Sequence, residues 1–240
     1  MQKQNGRWQA VLFDLDGTLR ESHPSANEVL LQQAVALGAQ DSPERWKRAL
    51  QWAHFYWADS LTLVRDQRRF RKWDAAFWTH YTRRQLIAFG CSPAEAAWMA
   101  PKVQTYMQEQ YRPEDRFFPG VPEMLQALRE RGYRLGVLSN RRKPFREYLE
   151  EARLAHYFDL ILAAGEVGVW KPDRRIFDIA ARRLRTPPQD IVYVGDNYFA
   201  DILGAQQAGL FAVLVDPKEV FAEMPCPTVR VVTEVGRWVE

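Results

Sequence analysis

The chain has 240 residues, 47% of them hydrophobic, an ordinary composition for a globular protein with one large domain or two modest ones. A formal net charge of +3 is too small to indicate a nucleic-acid binder, and no apolar stretch is long enough to cross a bilayer. Cys91 and Cys226 lack CxxC spacing and predict reduced thiols, not a disulfide framework or a zinc site. Because the polar start, Met1 to Gln9, does not look like a secretory signal, we expect a cytoplasmic protein without a membrane partner.

The first predicted element is a strand over residues 8–13, a short apolar run typical of a strand buried on both faces. From about residue 25 to 111, helical signals dominate and strand signals vanish. Ser42 and Ser92 are each followed by proline, as expected of an N-cap and the first turn of a helix. We interpret the aromatic residues between these helix starts as the core of a small helical unit, with room for one or two to face an active site. They are Trp46, Trp52, Phe55, Trp57, Trp73, Phe77, Trp78 and Tyr81.

A basic run from Arg65 to Lys72 lies within this helical block. Acidic residues nearby partly offset its charge, and such runs usually form the solvent-facing surface of a helix. We therefore expect no nucleic-acid partner for this surface.

The remainder of the chain alternates between helical and strand patterns. The pattern predicts helices over residues 122–131, 144–153, 172–184 and 200–208, and strands over residues 134–138, 160–163, 191–194, 212–215 and 229–232. Such alternation favours a parallel sheet with right-handed crossovers. The predicted fold class is therefore α/β, with one strand before a helical insertion and the remaining strands after it.

Polar residues follow three of these strands at their downstream ends. Asp14 and Asp16 come after the first strand, Ser139-Asn140 after the strand at 134–138, and Asp196 after the strand at 191–194. Open α/β sheets bind ligands just beyond the carboxyl ends of their strands. We therefore expect these residues to meet in one small volume, together with Asp201, which follows soon after Asp196, and Lys171, which does not stand at a strand end.

Three carboxylates and a lysine in one place predict phosphoryl-transfer chemistry. A carboxylate nucleophile and a phosphate ester are both anions, and they repel by roughly 4 kcal/mol at close range for an effective dielectric constant near 20. Mg²⁺ offsets this repulsion and prefers oxygen ligands. Asp14 and Asp196 would supply ligands, and either Asp201 or the amide of Asn197 could hold metal-bound water. Lys171 would add a fixed cation. Ser139 would bind phosphoryl oxygens, which carry the negative charge of the transition state.

The spacing of Asp14 and Asp16 suggests a division of labour between them. Just past a strand end, with Gly17 free to turn, the two side chains could address opposite sides of one phosphorus atom. Asp14 would attack and form an aspartyl-phosphate. Asp16 would protonate the leaving alkoxide and later accept a proton from water. We therefore expect the surroundings of Asp16 to disfavour its carboxylate form.

These motifs resemble those of a known family. Asp14-Leu15-Asp16-Gly17-Thr18, Ser139-Asn140, Lys171-Pro172 and Gly195-Asp196 with Asp201 stand in the order found in the haloacid dehalogenase superfamily. The resemblance implies a Rossmann-like three-layer core over residues 1–20 and 113–240, with an α-helical cap domain at 21–112 that moves on linkers near 18–24 and 112–119.

The resemblance also implies a Mg²⁺-dependent phosphatase, with functional residues in three groups. The metal site would comprise Asp14, Asp16, Asp196 and Asp201. Substrate binding would involve Thr18, Ser139, Asn140 and Lys171. The catalytic residues would be Asp14, Asp16, Ser139 and Lys171.

Two alternatives to a phosphatase stay open at this point. Asp16 favours a phosphate ester over a carbon–halogen bond, because a halide leaves without a proton. A phosphomutase shares the same motifs, and a non-catalytic interaction protein could keep the same fold, although a binding role gives no reason to retain Asp16 beside Asp14. The expected partner is a small phosphorylated metabolite, which the sequence does not specify further.

Overall fold

A computed structural model describes residues 8–70 and 73–239 of the chain. The chain divides into two compact units, one formed by Met1–Glu21 with Phe117–Glu240 and the other by Ser22–Arg116. The assignment of the second unit as a cap domain stays a prediction. Within the described ranges, no helix is both long and apolar enough to cross a membrane.

Parallel strands build the centre of the first unit. The strands in chain order are β1 (Ala10–Phe13), β2 (Arg20–His23), β3 (Glu114–Phe117), β4 (Arg134–Ser139), β5 (Leu160–Ala163), β6 (Ile191–Gly195), β7 (Phe211–Val215) and β8 (Thr228–Val229). In the described part of the chain, six of them form one sheet in the order β5-β4-β1-β6-β7-β8. All pairings in this sheet are parallel, which confirms the predicted α/β fold class.

The register of the sheet brings three strand ends to the same level. Phe13, at the end of β1, is paired with Val137 of β4 and with Val194 of β6. The backbone N–H of Asp14 continues the pairing by donating to the Val194 carbonyl at 2.8 Å. The segments that follow these strands therefore emerge together at the carboxyl edge of the sheet, as the sequence predicts.

Helices surround the sheet and make up most of the second unit. In chain order they are α1 (Ala26–Ala36), α2 (Pro43–Trp57), α3 (Leu61–Arg69), α4 (Ala75–Phe89), α5 (Pro93–Glu109), α6 (Val121–Glu130), α7 (Arg146–Glu151), α8 (Ala164–Val167), α9 (Arg174–Arg183), α10 (Leu203–Gln207) and α11 (Gly236–Val239). Helices α1 to α5 belong to Ser22–Arg116 and the others to the first unit.

Helices α2 and α5 of Ser22–Arg116 begin where the sequence predicts. The Ser42 side chain accepts a hydrogen bond from the Arg45 backbone, and Ser92 forms a capping box with Glu95. The prediction that the aromatic residues form the core of this unit is confirmed in part. Phe77 and Tyr81 are buried, whereas Phe55 and Trp73 are exposed. Helix α3 contains the first part of the predicted basic surface, whereas Arg71 and Lys72 lie outside the described residues.

Some predicted elements differ from the structure. The strand expected at 229–232 is a two-residue strand at Thr228–Val229, and a 3₁₀ helix starts at Val232. The helix expected at 200–208 begins earlier, with a π-helical turn at Tyr198–Ile202. There the Asn197 side chain accepts hydrogen bonds from two successive backbone N–H groups and so starts the turn. The segments predicted as linkers contain β2 and β3, which pair with each other.

Candidate active site

The loop after β1 brings Asp14 close to the end of β6. Asp14 is buried at the strand end, and Gly17 adopts a left-handed backbone conformation with φ +93°. The Gly17 N–H donates to the Arg20 carbonyl at 2.7 Å and closes the turn. A Cβ atom on Gly17 would lie 2.3 Å from Oδ2 of Asp196, which is shorter than any van der Waals contact. Glycine is therefore required here both for the turn and for the close approach of the loop to Asp196.

The segment after β6 supplies two further carboxylates. Asp196 follows Gly195 directly, and Asp201 lies in the π-helical turn. Asp201 is held on both oxygens, because Oδ2 accepts from the Asn197 backbone N–H at 2.9 Å and Oδ1 accepts from the Tyr193 hydroxyl at 2.9 Å. The Asp201 carboxylate is thus fixed in orientation at the strand end.

Lys171 lies between two of these carboxylates. Its side chain is only 2% exposed, and its Nζ is 2.5 Å from Oδ1 of Asp14 and 2.6 Å from Oδ1 of Asp201. The third donor position of Nζ faces the Tyr193 hydroxyl at 3.1 Å. The Asn140 amide holds the lysine backbone by accepting from the Lys171 N–H at 2.8 Å and donating to the Lys171 carbonyl at 3.0 Å. Asn140, predicted to bind substrate, therefore uses its side chain to position Lys171.

Asp14, Asp196 and Asp201 form a group that could hold a metal ion. One oxygen from each carboxylate lies within 4.8 Å of the others. Burial, assisted by neighbouring carboxylates and opposed by Lys171, raises the pKa of Asp14 to about 7. Burial together with the charges of Asp14 and Asp201 raises the pKa of Asp196 well above its usual range. Carboxylates crowded in this way need positive charge beside them.

The charge balance of this group fits a divalent cation. With all three carboxylates ionised and Lys171 protonated, the group has a formal charge of −2, on two buried residues, Asp14 and Asp201, and on half-buried Asp196. The donors are all hard oxygens, the type that Mg²⁺ prefers. A divalent cation would neutralise the group, whereas a monovalent cation would leave it negative. The carboxylates on the chain therefore suit Mg²⁺.

Asp16 lies outside this carboxylate group and is more exposed. Its carboxylate oxygens accept from Nε and Nη2 of Arg141, both at 2.8 Å, and Nε of Arg20 is 3.3 Å from its Oδ1. Burial alone would raise the pKa of Asp16, but the hydrogen bonds and charge of Arg141, together with Arg20, hold it below its usual range. The expectation that its surroundings disfavour the carboxylate is therefore wrong for this arrangement. A role of Asp16 as metal ligand stays a prediction.

The remaining predicted residues lie at the same edge of the sheet. The Ser139 hydroxyl donates to Oδ2 of Asp16 at 3.4 Å and accepts from the Arg141 backbone N–H at 3.3 Å. Thr18 is fully buried, and its hydroxyl finds no hydrogen-bond partner among the residues that the structure describes. Substrate binding by Ser139 and Thr18 stays a prediction.

Tyr193 is the site residue that the sequence reasoning missed. Its ring lies in the middle of β6, and its hydroxyl contacts both Lys171 and Asp201. Burial and the neighbouring carboxylates hold its pKa far above the usual range, so the phenol stays protonated and can donate. A tyrosine inside an otherwise aliphatic strand is a usable signal, because a buried phenol needs a polar partner.

Comparison with known proteins gives an independent view of the chain. The sequence profile of the haloacid dehalogenase-like hydrolases matches residues 8–209. The phosphoserine phosphatase of Thermus thermophilus is 32% identical over 226 residues, which cover 86% of this chain and 88% of that protein. The ribulose-1,5-bisphosphate 5-phosphatase of Halopiger xanaduensis is 31% identical over 222 residues, which cover 88% of this chain and 85% of that protein. The magnesium-bound HAD-hydrolase YfnB of Bacillus subtilis shares the fold, with a TM-score of 0.58, 18% identity and coverage of 98% and 99%.

The family match spans most of the chain and includes the motifs at Asp14, Ser139, Lys171 and Asp196. Both of these relatives, from Thermus thermophilus and Halopiger xanaduensis, are named phosphatases and cover most of the chain, which confirms the prediction of a hydrolytic enzyme. The chain belongs to the haloacid dehalogenase-like hydrolases.

Proposed function

We propose that this enzyme hydrolyses a small phosphate monoester with Mg²⁺, through a phosphoryl group carried transiently by Asp14. The observation that carries the proposal is the group of Asp14, Asp196 and Asp201, in which buried Lys171 contacts Asp14 and Asp201 while Asp196 is half-buried. The formal charge of the three carboxylates and the lysine would be balanced by one divalent cation. Burying such a group costs free energy, because carboxylates without matching positive charge destabilise the folded chain. A bound divalent cation would supply that charge.

Each residue of the group has a distinct task in the proposed reaction. Mg²⁺, held by Asp14, Asp196 and Asp201, would neutralise charge on the phosphoryl oxygens. An oxygen of Asp14 attacks phosphorus as the bond from phosphorus to the ester oxygen breaks. Asp16, after taking up a proton from solvent, gives that proton to the leaving oxygen. Water then attacks the aspartyl-phosphate, Asp16 takes the proton from that water, and phosphate leaves. Lys171 stays protonated throughout and offsets the charge that collects around Asp14.

The proposed substrate is a small phosphorylated metabolite, and the proposed compartment is the cytoplasm. The relatives are named for phosphoserine, ribulose 1,5-bisphosphate and phosphoglycolate, all of which are small phosphate esters. Residues 21–112 would act as the cap that encloses the substrate. A phosphomutase differs in that it would transfer phosphate between sugars without releasing it.

The proposal is tested by steady-state release of phosphate from p-nitrophenyl phosphate and from a panel of phosphorylated metabolites. Asp14→Asn should abolish turnover, because an amide is a very poor nucleophile. EDTA should also abolish turnover, and added Mg²⁺ should restore it. Asp190→Asn is a matched control, since Asp190 immediately precedes β6 at the opposite end of that strand. Full activity in Asp14→Asn or in EDTA would contradict the mechanism.

A further inference from the structure

Arg141 holds Asp16 in a bidentate ion pair at the edge of the site. Its Nε and Nη2 lie 2.8 Å from the two oxygens of the Asp16 carboxylate. Paired hydrogen bonds of this kind match the planar guanidinium to a planar carboxylate and are stronger than neutral hydrogen bonds. The ion pair therefore occupies both carboxylate oxygens of Asp16, the atoms that the proposed reaction needs for proton transfer.

The guanidinium of Arg141 is held in place independently of Asp16. Its Cζ lies 5.2 Å from the ring centre of Tyr148 and 5.7 Å from that of Phe145, which is buried in the core. A guanidinium over aromatic faces gains from cation–π attraction and loses little freedom when it binds an anion. Arg141 would thus keep its position if Asp16 turned away from it.

Arg20 would remain as a cation beside Asp16 if Asp16 turned away from Arg141. Its Nε lies 3.3 Å from Oδ1 of Asp16, and its side chain is 8% exposed, compared with 28% for Arg141. Of the two arginines, Arg141 is the one open to an incoming molecule. An anion that arrives from solvent would therefore meet Arg141 and leave Arg20 with Asp16.

We propose that Arg141 determines specificity by binding a carboxylate of the substrate, which replaces Asp16 as its partner. This inference rests on the proposed function, in which Asp16 faces the ester oxygen at hydrogen-bond distance. The Nε and Nη2 atoms of Arg141 lie one hydrogen-bond length beyond the Asp16 carboxylate. A substrate carboxylate that is one carbon away from the ester oxygen can therefore reach these nitrogens. The substrate class is then a phosphate ester of a short hydroxy acid.

The test compares two esters of almost equal size on the full chain with Mg²⁺. Phosphoglycolate carries a carboxylate where 2-hydroxyethyl phosphate carries a hydroxymethyl group, and kcat/KM is measured for both. For the parent enzyme we expect a clear preference for phosphoglycolate. In Arg141→Gln the ratio of the two kcat/KM values should fall by about tenfold or more, since a charge-assisted bidentate contact is lost. Arg141→Lys should keep part of the preference, and Arg142→Gln, a matched change at the exposed neighbouring arginine, should keep all of it.

The ratio of the two kcat/KM values distinguishes binding of the substrate carboxylate by Arg141 from positioning of Asp16 by Arg141. If Arg141 only oriented Asp16, both esters would lose the same factor and the ratio would stay constant, which would overturn the inference. A parent enzyme with equal kcat/KM for both esters would also overturn it, while p-nitrophenyl phosphate hydrolysis would show that the proposed function still holds. If no ester is hydrolysed, including p-nitrophenyl phosphate, the proposed function itself has failed.

Discussion

Replacing Lys171 with methionine removes the ammonium group from among the buried carboxylates. Methionine is similar in length, so the change tests charge more than packing. Lys171 is 2% exposed, and its contacts with Asp14 and Asp201 are 2.5 and 2.6 Å long. After the substitution both carboxylates are buried without their cation, and the formal charge of the group, with every carboxylate ionised, changes from −2 to −3.

The expected loss of stability is large for one substitution. Removing one partner of a buried ion pair costs about 3–5 kcal/mol, because the other partner keeps its desolvation cost. For chains of this size a loss of 1 kcal/mol lowers Tm by roughly 2–4 °C, so we expect Tm to fall by roughly 6–20 °C.

The deficit should also depend on pH. Because burial raises the pKa of Asp14 to about 7 even beside Lys171, a proton can take over part of the neutralisation below that pH. Lys171 itself keeps its charge across this range, since Asp14 and Asp201 outweigh the effect of burial and raise its pKa. The deficit relative to the parent chain is therefore full at pH 8 and smaller at pH 5.

The assay is thermal unfolding by circular dichroism in EDTA at pH 5 and pH 8. Lys143→Met serves as the control, because Lys143 is an exposed residue of the same unit and its loss should cost less than about 0.5 kcal/mol. A Tm equal to that of the control at pH 8, or a deficit of the same size at both pH values, would refute the reasoning.

Two further predictions follow from the same loop and the same carboxylates. Gly17→Ala should lower kcat/KM at least tenfold, because the new Cβ would lie 2.3 Å from Oδ2 of Asp196, whereas Gly38→Ala, with a similar φ of +103° and open space around it, should leave activity unchanged. Equal activities of the two variants would contradict this reading. In EDTA, Asp14→Asn should gain stability relative to the parent chain as the pH rises from about 4 to about 7, measured by urea unfolding. The folded parent chain holds a proton on Asp14 in this window that the unfolded chain has released, because burial raises the pKa of Asp14, so the parent loses stability with rising pH. A constant difference across the window would count against the prediction.

The convergence of the site could be predicted from the sequence because it depends on backbone periodicity. Short apolar runs mark the buried parallel strands, and parallel strands necessarily end at one edge of a sheet. Asp14 and Asp196 therefore had to lie close together once the strands were identified. Lys171 lies in the loop between α8 and α9 and does not follow a strand directly, so strand placement alone does not predict its position among the carboxylates.

The surroundings of Asp16 could not be predicted in this way. They depend on the direction of the Arg141 side chain, which rests on aromatic rings from the following helix. The position of Tyr193 in the site likewise depends on side-chain packing within β6. Short elements such as β8 carry too few residues for a periodic pattern, and β2 and β3 are largely polar strands that form a separate two-stranded sheet.

The position of β1 in the sheet has a consequence for how the chain is made. Ala10 pairs with Arg134 and with Ile191, so both neighbours of this strand leave the ribosome long after it does. At translation speeds of about 5–20 residues per second, the wait for the second neighbour is on the order of 10–40 s. During that time the whole of Ser22–Arg116 emerges, with its own apolar core. The nascent chain therefore has to shield a fully apolar segment, Ala10–Phe13, until β6 has been synthesised, and this interval is when aggregation or chaperone capture would occur.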